Sequence, residues 1–183
     1  MNNTNGKIAE RSRKKLAHGL LKLMEIYSYA EITVTQISQE ADLSRKTFYR
    51  LYKSKDEILL GYIDSLTCEF MDKIHIVQPH HYWDTVLLYF DFWKGHKDFL
   101  LLLKRNQLLH LLMQKSYDST FHVLSLTKPY RPNAQEDPCL PYGMAFSVGG
   151  VSFMLIKWIE EGLETEPRTF VEYIHHGLQN VNV

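Results

Sequence analysis

The chain is predicted to be all-α, because three features of its sequence agree. Apolar residues recur at intervals of three and four in successive segments, which is the spacing of one helix face. No segment shows the period-two alternation of a half-buried strand. Ser and Thr residues followed three positions later by Gln or Glu mark helix starts. With 183 residues, 45% of them hydrophobic, the chain is long enough to bury a core.

The first two helices are predicted from amphipathic spacing and a capping box. The first runs from Lys7 to about Tyr27, with basic side chains between its apolar ones. Thr33 and Gln36 form a capping box that opens the second helix. This helix is short and ends near Asp42, a residue type that tolerates left-handed backbone.

The next two helices follow closely. Ser44 is predicted to cap a third helix that ends near Leu51. Ser54 and Glu57 form a second capping box, from which a long helix runs toward Ile76. The second and third helices, joined by a tight turn, have the spacing of a helix-turn-helix.

The rest of the chain is predicted to be helical apart from one loop. Segments 81–95, 97–126 and 142–162 are rich in Leu, Phe and Met at helix-like spacing. The segment 127–141 contains four prolines and is predicted to be a loop. A last helix is predicted from Pro167 to about Asn180, because proline is favoured in a first helical turn.

The net charge of zero conceals a division along the chain. Residues 1–57 contain eleven basic and seven acidic residues, whereas residues 58–183 contain ten and fourteen. Five aromatic residues lie in the first segment and eighteen in the second. We therefore predict a basic binding domain at 1–57 and an all-helical body with an aromatic core or cavity at 58–183.

The third helix has the chemistry of a major-groove reader. Its apolar residues Phe48 and Leu51 are predicted to face the core, which leaves basic and aromatic residues outside. Arg and Lys donate to guanine O6 and N7, and a Thr methyl group contacts thymine. Hydroxyl and basic groups around the helix pair suit phosphate contacts. The candidate DNA-binding residues are Thr33, Thr35, Ser44, Arg45, Lys46, Thr47, Tyr49, Arg50, Tyr52, Lys53 and Lys55. The alternative is an ordinary solvated basic face with half-buried tyrosines, but the capped helix pair and the charge division favour DNA.

The stretch ITVTQISQEADLSRKTFYRLYKSKDEILLGYI resembles the DNA-binding segment of the TetR/AcrR family of bacterial transcriptional regulators. The resemblance implies that Thr33 and Thr35 contact phosphate. It implies that residues 45–47 meet base edges or adjacent phosphates, and that Tyr49, Tyr52 and Lys55 anchor the DNA backbone. The family usually has Gly where this chain has Ser28 and Asp42, and His-Phe where it has 51–52.

The resemblance also extends to the body. The segment 146–167 resembles the penultimate helix of part of the family, in which the last two helices pair into a four-helix dimer interface. Gly149 and Gly150 each cost about 1 kcal/mol in a helix relative to Ala, so a packing reason is expected. Either these glycines allow close approach of a second subunit, or they pack within one subunit. The aromatic residues between Trp83 and Phe121 either form the core or line a cavity for an apolar or aromatic effector.

Other classes of function lack their signatures. No nucleophile elbow, phosphate-binding loop or dinucleotide fingerprint is present, so we expect no enzyme activity and no cofactor. The nine histidines and two cysteines show no metal-ligand spacing, so no metal is expected. The N-terminus does not resemble a signal peptide, and the longest apolar run, from Met144 to Lys157, is too short to span a bilayer. A cytoplasmic location without membrane contact is therefore expected.

These expectations combine into a dimeric repressor that binds a palindromic DNA operator and is released by a small-molecule effector. The alternative is a helix-turn-helix activator or adaptor whose helical body binds a partner protein.

Overall fold

The structure is a computed structural model that describes residues 3–116 and 138–180. Within these ranges the chain is helical and contains no strand, so the all-α prediction is confirmed. The helices are α1 (Asn3–Met24), α2 (Val34–Glu40), α3 (Arg45–Leu51), α4 (Lys55–Val77), α5 (Tyr82–Lys94), α6 (Lys97–Arg105), α7 (109–116), α8 (Leu140–Glu160) and α9 (Pro167–Asn180). A 3₁₀ turn at Tyr29–Glu31 follows α1. Backbone contacts group the chain into two compact units, Met1–Ser65 and Leu66–Val183.

The N-terminal unit is built on the apolar face of α1. Helices α2 and α3 both pack against this face, and Leu16, Ile37 and Phe48 are completely buried there. Gly19 allows the close approach of α1 to the end of α2, since a Cβ atom at this position would lie 3.3 Å from the Ala41 backbone nitrogen. The small size of Gly19 therefore contributes to the position of α2 against α1.

The C-terminal unit has an aromatic core between α5, α8 and α9. The ring of Phe90 lies 5.5 Å from Trp158 and 5.1 Å from Phe170, and Trp158 stacks on Phe170. The indole nitrogen of Trp158 donates to the Thr165 carbonyl at 3.0 Å, so the polar edge of this buried ring is satisfied. The loop between α8 and α9 is thereby held against the core.

Three elements differ in their bounds from the predictions. The first helix, predicted from Lys7 to about Tyr27, runs from Asn3 to Met24. The predicted helix 97–126 is interrupted after Arg105, where Gln107 adopts φ 59° and the Leu108 amide donates back to the Leu103 carbonyl at 2.9 Å. Neither Gly nor Pro marks this break. Helix α8 begins at Leu140, so Pro141 lies in its first turn and not in the predicted loop. Most of that loop, together with Tyr117 and Phe121, lies outside the described residues.

Helix α8 also corrects the prediction about membrane-spanning length. Helix Leu140–Glu160 has 21 residues and contains an 18-residue window with a mean hydropathy of 1.3, so it is long and apolar enough to cross a bilayer. Of this window, 28% is buried. The apolar run predicted from the sequence ended at Lys157, although a helix can carry a charge in its last turn. Length and composition are weak evidence for membrane insertion, since core helices of soluble proteins meet the same criterion.

Candidate nucleic-acid interface

The two short helices of the N-terminal unit begin at defined caps. The Gln36 amide donates to the Thr33 hydroxyl at 3.3 Å, and the Thr33 amide donates to the Gln36 side chain at 2.8 Å, which confirms the predicted capping box. The Thr47 amide donates to the Ser44 hydroxyl at 3.1 Å, which confirms the second cap. These local bonds make two helices of seven residues possible, although isolated helices of that length are unstable.

The turn between α2 and α3 uses a left-handed residue. Asp42 has φ 52°, as its residue type led us to expect, and the Leu43 amide donates to the Ser38 carbonyl at 2.9 Å. The Asp42 carboxylate lies 3.8 Å from the Lys15 ammonium of α1. A basic neighbour therefore offsets the negative charge at the turn.

The fourth helix begins in a variant of the predicted capping box. The Glu57 amide donates to the Ser54 hydroxyl at 3.3 Å, as predicted. The Glu57 carboxylate, however, accepts from the Lys53 amide at 2.7 Å, one residue before the cap. The loop between α3 and α4 is therefore pinned at two consecutive residues.

Helix α3 buries its apolar side and exposes its basic side. Phe48 is completely buried and Leu51 is half-buried, as predicted. The side chains left exposed on this helix are Arg45, Lys46, Tyr49 and Arg50. The guanidinium carbon of Arg45 lies 6.0 Å from the centre of the Tyr49 ring, and Tyr49 packs edge-on against Phe48. A buried anchor thus supports an exposed aromatic residue and an arginine.

The exposed cations of this region are not neutralised by neighbouring acids. Across residues 3–116 and 138–180, no ion pair involves Arg45, Lys46, Arg50 or Lys53. On α1, by contrast, Lys22 pairs with Glu40, which raises the pKa of Lys22. Four cations without an ion pair therefore lie on α3 and directly after it, although Lys7 and Arg11 of α1 also have no ion pair among the described residues.

The predicted hydroxyl contacts serve largely as caps. The Thr33 hydroxyl donates to the Gln36 side chain at 2.8 Å, and the Thr47 hydroxyl lies 3.0 Å from the Ser44 hydroxyl. Thr35 is exposed on the first turn of α2. Of these four hydroxyl residues, only Thr35 has no capping role.

Two of the predicted DNA-binding residues, Tyr52 and Lys55, make contacts within the N-terminal unit. Tyr52 is 9% exposed, and its ring packs against Phe48 with the Arg13 guanidinium 5.0 Å from its centre. The Lys55 ammonium donates to the carbonyls of Tyr29, Ala30 and Ile32 at 2.5, 3.1 and 2.9 Å. Tyr52 is thus buried, as the alternative of packed tyrosines allowed, whereas nothing in the local sequence indicated the internal bonds of the half-buried Lys55.

The structure also adds a residue that sequence reasoning missed. Arg13 of α1 donates from Nη1 to the Leu51 carbonyl at 3.2 Å, at the end of α3. In the sequence, Arg13 is one of several basic residues in an amphipathic helix, so no local signal separates it from Lys14.

A second exposed surface lies on α8. Tyr142, Phe146 and Phe153 are 79%, 69% and 60% exposed and follow one stripe of the helix. No described atom lies within 4 Å of a Cβ atom placed on Gly149 or Gly150. The described residues therefore give these glycines no packing partner within the subunit.

No protein-family model matches the chain, and no curated protein sequence matches it significantly. In the part of the chain that the structure describes, no three His, Cys, Asp or Glu residues lie close enough together to hold a metal ion.

Proposed function

We propose that the chain is a DNA-binding transcriptional regulator of the TetR/AcrR type, in which the N-terminal unit binds DNA and the C-terminal unit dimerises and senses an effector. The observation that carries this proposal is the form of α3. It is capped at Ser44, anchored by buried Phe48, and exposes cations that no acid among the described residues neutralises. An unpaired basic helix face on a rigid support suits an anionic partner.

The dimensions and polarity of α3 fit the DNA major groove. Seven residues form a helix about 10 Å long, and the groove is about 12 Å wide. Arg45 and Lys46 lie in the first turn, from which recognition helices contact base edges. Arg50, in the last turn, and Lys53, just beyond it, suit phosphate. We assign base contacts to Arg45 and Lys46, and backbone contacts to Tyr49, Arg50 and Lys53.

A second copy of the chain is the proposed occupant of the α8 stripe. Large aromatic side chains exposed beside bare glycines allow another helix to approach closely, and the same patch on two subunits is self-complementary about a two-fold axis. A dimer would also present two copies of α3 to the half-sites of a palindromic operator, about 34–36 Å apart or a multiple of this. The proposed interface is centred on Phe146, Gly150 and Phe153.

The proposed effector is an apolar or aromatic small molecule held in the C-terminal unit. Among the described residues, the buried Tyr89 hydroxyl and Trp93 indole nitrogen find no hydrogen bond of good geometry. Burial raises the pKa of Tyr89 to about 12, and polar groups on Ser116 and Trp93 offset this only in part. A ligand with an acceptor oxygen would satisfy these donors. Its binding would favour a conformation in which the two α3 helices no longer match the operator spacing.

Selection from a random-sequence duplex library tests the DNA proposal for any operator sequence. We expect enrichment of a palindromic site whose binding weakens steeply with salt, because each phosphate contact releases counterions. The double variant Arg45→Ala with Lys46→Ala should weaken specific binding at least about 30-fold, since each lost base contact costs about 1–3 kcal/mol.

The matched control is Lys14→Ala with Lys97→Ala. It removes the same charge from one exposed and one half-buried position, which pair with acids outside α3. The control should retain wild-type affinity. If the selection enriches no sequence, or if the two double variants bind equally, the proposal is wrong.

The alternative is a regulator or adaptor whose α8 stripe binds a different protein. The same exposed aromatic residues favour it, because a large apolar patch marks an interaction site of some kind. Sedimentation of the purified chain separates the two candidates. A stable dimer at micromolar concentration supports the self-association proposed here, whereas a monomer supports a foreign partner.

A further inference from the structure

Arg13 links α1 to the C-terminal end of α3 by two contacts. Its Nη1 atom donates to the Leu51 carbonyl at 3.2 Å, and its guanidinium carbon lies 5.0 Å from the centre of the Tyr52 ring. Leu51 is the last residue of α3 and Tyr52 is its C-cap. Both contacts therefore act where the helix ends.

The chemistry of a helix terminus explains why a cation belongs there. The last carbonyls of a helix have no partner within the helix and carry partial negative charge. A guanidinium combines a full positive charge with several donors and a flat face that stacks on aromatic rings. One face of Arg13 can therefore rest on Tyr52 while its edge reaches Leu51, an arrangement that a lysine ammonium reproduces only in part.

The other end of the helix pair is held independently. Lys22 pairs with Glu40 at the end of α2, and Lys15 lies 3.8 Å from Asp42 in the turn. The Ser44 cap fixes the first turn of α3. Loss of Arg13 would therefore loosen the last turn of α3, which carries Arg50, while buried Phe48 still anchors the helix.

We propose that Arg13 is a positioning residue for DNA reading, which fixes the axis of α3 by clamping its C-terminal end to α1 and does not itself contact DNA. This inference rests on the proposed function, because it assigns Arg13 a role in the orientation of the same recognition helix. Since α3 has only two turns, its orientation depends on what holds its two ends.

The test compares Arg13→Met with Lys14→Met. Both variants remove one exposed positive charge from neighbouring positions of α1, and Lys14 has only an exposed pair with Glu10 to lose. Each variant is measured for affinity to the selected operator and to non-specific duplex DNA across a salt series, and for amide hydrogen exchange without DNA.

We expect Arg13→Met to bind the operator about fivefold more weakly than Lys14→Met, which corresponds to about 1 kcal/mol for an exposed hydrogen bond and an exposed cation–π contact together. Its non-specific affinity and its salt slope should equal those of the control. In the free protein, the amides of the last turn of α3 should exchange faster than in the control, while those of α2 should not. Arg13→Lys should give an intermediate operator affinity.

Several results would overturn this assignment. A salt slope flatter than the control by about 0.9 would show that Arg13 contacts a phosphate directly. Equal operator affinity of Arg13→Met and Lys14→Met would show that Arg13 does not orient α3. Unchanged exchange in α3 would show that the clamp does not act in solution, and this readout stands even if Arg13→Met loses stability.

Failure of the proposed function is recognised separately. If the wild-type chain binds no specific DNA, the regulator proposal fails whatever the variants do. If the wild type binds and Arg13→Met matches Lys14→Met, only the positioning role is wrong.

Discussion

Lys55→Met is the substitution that most directly tests how the N-terminal unit is held together. The Lys55 ammonium donates to three carbonyls of residues 29–32, the segment that joins α1 to α2. It also lies 4.7 Å from the centre of the Tyr29 ring. Methionine keeps most of the apolar stem but removes the charge and all three donors. The variant therefore isolates the polar contribution of this side chain.

The size of the effect follows from the environment of each bond. A net hydrogen bond to a charged group stabilises by about 1.5–3 kcal/mol when buried. The bonds to Tyr29 and Ile32 are part-buried, and we discount each to about 1 kcal/mol. The bond to Ala30 is exposed and contributes little. With a cation–π contact of about 0.5 kcal/mol, the loss is about 2–3 kcal/mol.

Native-state hydrogen exchange is the suitable assay, because all three tryptophans lie in the C-terminal unit and tryptophan fluorescence would not report on this region directly. The buried amides of Ile37 and Phe48 should exchange at least about 30-fold faster in Lys55→Met, which corresponds to about 2 kcal/mol. The control Lys53→Met removes an exposed charge but leaves its backbone bond to Glu57 intact, and should change protection by less than about 0.5 kcal/mol. Equal protection in the two variants would refute the structural role of Lys55.

Three further predictions concern other parts of the chain. Asp42→Gly should raise the free energy of unfolding in urea by about 0.5 kcal/mol and Asp42→Ala should lower it, because φ is 52° at this position. If the alanine variant were the more stable of the two, left-handed strain at Asp42 would be excluded. Phe153→Glu should weaken the dimer at least about 100-fold by sedimentation, because it places a charge in the proposed interface, whereas Ile76→Glu, equally apolar and 79% exposed, should leave it intact. Burial lowers the pKa of His96 despite the opposing effect of Glu69, so the unfolded chain binds a proton at this residue more readily than the folded chain does. The free energy of unfolding should therefore fall as the pH drops below about 6.5, and His96→Gln should reduce this fall. An unchanged acid sensitivity in His96→Gln would assign the pH dependence to other groups.

The caps of the N-terminal unit were predictable because each involves residues within three or four positions of one another. Thr33 with Gln36 and Ser44 with Thr47 form their bonds as soon as the backbone turns into a helix. The break after Arg105 was not predictable in this way. Gln107 takes a left-handed conformation that its residue type does not favour, and neither Gly nor Asn marks the position in the sequence, although local bonds close the helix end there.

In the candidate site, too, features set by near neighbours were predictable and features set by distant contacts were not. The spacing of Phe48 and Leu51 was sufficient to predict that Arg45, Lys46, Tyr49 and Arg50 lie outside, because a helix of 3.6 residues per turn can bury only one face. Spacing could not show which polar side chains that follow α3 are taken up by contacts within the N-terminal unit. Tyr52 and Lys55 follow the helix closely in the sequence, yet one is buried and the other is bonded to a distant turn.

By itself, the sequence determined the all-helical class, the caps and bounds of the short helices, and the exposed basic face of α3, because these depend on periodicity and on contacts between near neighbours. Only the tertiary structure decided how the remaining cations are used. Arg13, Lys14 and Lys55 are chemically similar residues in the sequence. Arg13 binds the end of α3, Lys55 binds the turn before α2, and Lys14 stays on the surface. The contacts of each side chain depend on which distant carbonyls the packing brings within hydrogen-bonding distance.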